Sequence, residues 1–67
     1  MNRTPVESSN IRAVGYEPRT LEVEFRNGSV YAYSDVPDSV HQELMQAESK
    51  GKFLNAKIKK SYPYRRV

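Results

Sequence analysis

Seven lysines and arginines stand in the last eighteen residues, Lys50 to Val67, with no aspartate or glutamate among them and with Phe53, Tyr62 and Tyr64 interleaved. Clustered cations neutralise phosphate and release its counterions, and aromatic rings offer a face on which a nucleobase stacks, so the combination points to a phosphate-rich partner that carries bases. The remainder of the chain holds four arginines, Arg3, Arg12, Arg19 and Arg26, against eight acids. A formal net charge of +3 therefore conceals a body of net −4 and a terminus of net +7. A merely solvated basic tail is the plainer reading of the same composition.

Within the terminus, Ser49-Lys50-Gly51-Lys52 is a candidate phosphate site. A helix start presents unpaired backbone N–H groups, and here a glycine between two lysines permits close approach. An ordinary capped turn explains the same residues, and the glycine spacing and preceding strand of a P-loop are absent. Advancing about 100° per residue from Ser49 gathers Lys52, Asn55 and Lys59 on one side of a helix. Lys60, Arg65 and Arg66 would extend that stripe if the tail folds back along the helix, while Lys50 and Lys57 flank the apolar side. Asn55 adds a donor and an acceptor for a base or ribose edge. Upstream, Tyr31 and Tyr33 share one face of a strand about 7 Å apart, a spacing that suits either a stacking platform or a core. Tyr62 and Tyr64 complete the expected binding set. Catalysis and metal binding find little support: His41 is the sole histidine, there is no cysteine, and the carboxylates show no ligand spacing. No cofactor is expected.

These residues need elements to hold them. Met1 to Glu7 is polar, contains Pro5, and reads as a flexible lead-in, with one domain over residues 8–67. Ile11 to Tyr16 is compatible with a strand, and Thr20 to Arg26 alternates Leu21, Val23 and Phe25 with Glu22 and Glu24. Asn27-Gly28 then signals a hairpin whose return strand is Ser29 to Tyr33. A two-residue loop pairs Glu24 with Tyr31 and Glu22 with Tyr33 on the outer face, whereas a bulged loop shifts the register by one and sends both tyrosines inward. Both remain open on the sequence. Pro37 and Asp38 open a helix to about Ala47 with Val36, Val40, Leu44 and Ala47 as its buried stripe. Ser49 caps a second helix to about Lys59 in which Phe53, Leu54 and Ile58 face one way, and Pro63 ends it. The expected architecture is α+β: a three-stranded antiparallel meander with two helices packed on one face.

A chain this short buries only about 60% of its unfolded surface, so self-association into a homo-oligomer would be unsurprising. No apolar run is long enough to span a membrane, and the first ten residues lack a signal-peptide stretch, which leads to the expectation of a cytoplasmic protein.

Several of these segments recur together in a known family. Ser8-Ser9-x-Ile11, Gly15-Tyr16, Tyr31-x-Tyr33, Val36-Pro37 and the run Ser49-Lys50-Gly51-x-Phe53-x-Asn55-x-x-Ile58 followed by Tyr62 resemble the KTSC domain. That family occurs as a tail on some lysyl-tRNA synthetases and as free-standing small proteins. Its biochemical role is not established, and the resemblance implies RNA binding only by its attachment to synthetases. Nothing of aminoacylation carries over. The leading expectation is non-enzymatic binding of RNA or single-stranded nucleic acid. The alternatives are a homo-oligomeric binder of a small phosphorylated ligand, such as a nucleotide or cyclic dinucleotide, and a protein-docking adaptor.

Overall fold

The computed structural model describes residues 3–67. Five strands, β1 (Arg3–Pro5), β2 (Ile11–Glu17), β3 (Thr20–Phe25), β4 (Val30–Ser34) and β5 (Tyr64–Arg66), form one antiparallel sheet in the order β1-β2-β3-β4-β5. Helix α1 (Asp38–Gln46) and a second helical segment, α2 (Lys50–Phe53) continued by a π-helical turn at Leu54–Ile58, pack on one face. The α+β class agrees with expectation; a three-stranded sheet does not.

Both additional strands lie at the edges, in segments that carry no apolar alternation. All three residues of β1 and of β5 are exposed. They join the sheet through backbone pairing, Thr4 opposite Val14 on one side and Ala32 opposite Arg65 on the other. Pro5, which lacks an N–H, is tolerated at an edge because one side of the strand needs no partner. Strand β1 thus occupies part of the expected lead-in, whose first two residues lie outside the described ones. The tail likewise pairs with β4 instead of running free, and Val67 N–H donates to the Val30 carbonyl at 2.8 Å.

The hairpin adopts the bulged register. Phe25 N–H donates to the Ser29 carbonyl at 2.8 Å, leaving Arg26-Asn27-Gly28 as a three-residue loop with Gly28 at φ +93°. That positive φ is what glycine permits, and the Asn27 carboxamide oxygen braces the turn by accepting from Ser29 N–H at 3.0 Å. Val23 consequently faces Tyr31 and Leu21 faces Tyr33, so both tyrosines turn to the helix side with Val14 and Tyr16. Burial of aromatic surface there outweighs the tighter two-residue turn.

Ile11, Val14, Leu21, Val23, Tyr33, Val36, Leu44, Leu54 and Ile58 make the core. Helix α1 is fastened by Tyr16, whose ring stacks on His41 with centroids 4.5 Å apart and whose hydroxyl donates to the Val36 carbonyl at 2.6 Å. The same oxygen accepts from the N–H of Arg19, a residue held at φ +66° in the β2–β3 turn. On the opposite face of the sheet, Arg3 reaches over Gly15 to Glu22 and Glu24, so an ion cluster covers the small residues of the central strands. No helix among the described residues is long and apolar enough to cross a membrane.

The second helix starts where expected, with the Ser49 hydroxyl accepting from Lys52 N–H at 3.4 Å. It does not remain α-helical. Lys59 N–H reaches back five residues to the Leu54 carbonyl at 2.9 Å, a widened turn that seats both Leu54 and Ile58 in the core.

Candidate functional site

Strand alternation decides what the basic tail can do. On β5, Tyr64 pairs with Tyr33 and Arg66 with Tyr31 on the helix side, while Arg65 pairs with Ala32 on the opposite face. The expected stripe running from the second helix through both Arg65 and Arg66 is therefore broken, because the tail binds the sheet edge and not the helix. Lys52, Lys57, Lys59 and Lys60 are exposed. Lys50 is not free: its ammonium donates to the Ala47 carbonyl at 3.3 Å, at the end of α1. The candidate phosphate site at Ser49-Lys50-Gly51-Lys52 is accordingly an occupied cap beside a diverted lysine.

The tyrosines separate just as sharply. Tyr33 is 1% exposed and offers no face for stacking, which corrects its assignment as a platform residue. Burial, and then the neighbouring Tyr64 and Tyr31 hydroxyls, push its phenol up to about 12. Tyr31 and Tyr62 are half-buried against the core, and Tyr64 is 58% exposed. A run of rings results: Phe25 meets Tyr31 edge-on at 5.6 Å, and Tyr31 meets Tyr64 edge-on at 5.5 Å. These distances and angles suit the favourable edge-to-face geometry of aromatic pairs.

Phe25 lies at the end of this run and also lines a cleft of about 420 Å³. Ser9 and Asn10 form one wall at the entry to β2, Arg26 and Asn27 of the hairpin form a second, and Gly51, Leu54, Asn55 and Lys59 of the second helix form the third. Among the described residues, two cations and no carboxylate face it. The Arg26 guanidinium is anchored through Nε to the Ser8 carbonyl at 2.8 Å, and its backbone N–H donates to the Asn10 carbonyl at 2.9 Å. Hairpin and β2 entry are thus tied together. Asn10, Asn55 and Lys59 make no side-chain hydrogen bond or ion pair among the described residues. A Cβ built on Gly51 would stand 3.4 Å from the Asn10 amide nitrogen, so the second helix and the β2 entry approach each other closely at this point.

Of the expected binding residues, Gly51, Asn55 and Lys59 meet in this cleft, and Tyr31, Tyr64 and Arg66 meet at the β4–β5 edge. Ser9, Asn10, Phe25, Arg26 and Asn27 escaped sequence reasoning. Asn27-Gly28 marks a turn and Ser8-Ser9 opens the family pattern, yet neither signal says that the two approach the second helix.

A single antiparallel sheet backed by two short helices, with a cleft that presents amides and cations instead of an acid–base pair, defines a small α+β domain. A model of the KTSC domain matches residues 7–62, and the chain belongs to that family. It is similar to an uncharacterized protein of Stutzerimonas stutzeri, 41% identical over 70 residues that cover 100% of this chain and 99% of that one. It is 43% identical over 63 residues to a lysine–tRNA ligase of Nostoc sp., covering 91% of this chain and 11% of the ligase. Its structure resembles the crystal structure of the KTSC domain protein YPO2434 from Yersinia pestis, with a TM-score of 0.93 and 43% identity over 98% of this chain and 96% of that one.

Proposed function

We propose that this protein binds single-stranded nucleic acid, RNA foremost, without catalysing a reaction. The observation that carries the reading is the continuous path from a carboxylate-free cleft, through Phe25 and Tyr31, to the exposed ring of Tyr64. Arg26 and Lys59 flank the path at the cleft, and Arg66 flanks it at the edge. Cations placed beside stackable rings bind strands with little dependence on base order. Occurrence of a similar segment within lysine–tRNA ligases, enzymes that handle RNA, supports the same choice.

Fluorescence anisotropy with a single-stranded RNA oligonucleotide tests this directly. Neutralising at least three phosphates gives a salt slope of about −2 or steeper, so affinity falls roughly 20-fold from about 50 to 200 mM salt. Tyr64→Ala should remove about 1–3 kcal/mol of stacking and leave the slope unchanged. Affinity that is flat with salt, or indifferent to Tyr64, would refute the reading.

A further inference from the structure

The cleft is concave, and its volume falls in the range of small-molecule sites. We infer that it is a subsite for one nucleotide of the bound strand, reading the base by hydrogen bonds; the inference rests on the nucleic-acid reading above. Three features make the case. The apolar part of the lining, Phe25 and Leu54, gives a base a surface to lie on. Asn10 and Asn55 stand on different walls with carboxamides that no described residue satisfies, each offering a donor beside an acceptor. Arg26 is held in place by the Ser8 carbonyl through Nε, which leaves its terminal nitrogens and the Lys59 ammonium for phosphate.

The chemistry narrows the choice of base. A carboxamide matches adenine best, because N6–H₂ and N7 form an adjacent donor and acceptor that pair with it bidentately. Guanine is usually read by arginine and cytosine by a carboxylate; here the terminal nitrogens of Arg26 are assigned to phosphate and no carboxylate of the described residues lines the cleft. Asn27 adds little to this recognition, since its carboxamide oxygen already braces the hairpin. A side chain at Gly51 would project towards Asn10, its Cβ 3.4 Å from the amide nitrogen.

The test is a two-dimensional ¹⁵N–¹H titration of the full chain with adenosine monophosphate, uridine monophosphate and a single-stranded RNA hexamer containing one adenine. Adenosine monophosphate should shift the side-chain amides of Asn10 and Asn55 and the backbone amides of Arg26 and Gly51, more strongly than uridine monophosphate does. Asn55→Ala, an exposed position whose loss spares the core, should weaken adenylate binding about tenfold while hexamer affinity keeps its salt slope. If the hexamer binds and shifts only residues around Tyr64 and Arg66, the subsite is refuted and nucleic-acid binding stands. If no probe binds, both readings fall. Adenylate binding that Asn55→Ala leaves unchanged also overturns the subsite.

Discussion

Alkaline conditions should destabilise this protein through Tyr33 in particular. Its phenol sits at about 12 in the folded chain against 10.0 for an ordinary tyrosine, because burial penalises the phenolate and the Tyr64 and Tyr31 hydroxyls stand close by. The sign follows from proton counting. Below pH 10 the phenol is neutral in both folded and unfolded chains, so its full contribution is present; between about 10 and 12 only the unfolded chain releases the proton, and stability falls. A separation of about two pH units corresponds to a loss on the order of 2–3 kcal/mol, of which roughly half has gone by pH 11. Tyr33→Phe removes the titrating group and keeps the ring, and the hydroxyl it deletes has no hydrogen-bond partner among the described residues. Urea unfolding followed by circular dichroism should therefore give nearly equal stabilities for the two proteins at pH 8. Above pH 10 the curves should diverge, with the variant the more stable. A difference that stays constant from pH 8 to about 11.5 would mean that burial of the ring does not hold the Tyr33 phenol up, and the reasoning would fail.

Two further substitutions probe the framework. Tyr16→Phe strips the Val36 carbonyl and the Arg19 amide of a partner, which should cost about 1–2 kcal/mol and lower the melting temperature by several degrees, read by differential scanning calorimetry. Gly28→Ala meets no atom within 4 Å, so its cost is purely conformational, about 1–2 kcal/mol for a left-handed alanine; Gly28→Asn should cost visibly less in the same chemical denaturation assay, and equal losses would place the fault elsewhere.

Much of the scaffold was legible because its signals are local. Leu21, Val23 and Phe25 alternate with glutamates, Asn27-Gly28 turns the chain, Ser49 caps a helix, and each does in the fold what its neighbours in sequence imply. The hairpin register was not legible, since a two-residue and a three-residue loop satisfy the same turn residues; the choice fell to where Tyr31 and Tyr33 could be buried. The π-helical turn left no mark either, because it is imposed by seating Leu54 and Ile58 on the sheet. Among the site residues, Tyr33, Lys50 and Arg65 were drawn away by the core, the α1 terminus and the outer face respectively.

Composition and periodicity alone established an α+β domain with a charge-divided chain, a basic aromatic terminus and a short list of cations and rings. Tertiary structure alone decided that β1 and β5 complete the sheet, that Arg65 and Arg66 part company, and that Asn10, Arg26 and Asn55 face one cleft. The reason is physical. Apolar burial writes a repeating pattern into neighbouring residues, whereas edge pairing through the backbone and the meeting of distant loops are satisfied by almost any side chain and so leave no pattern to read.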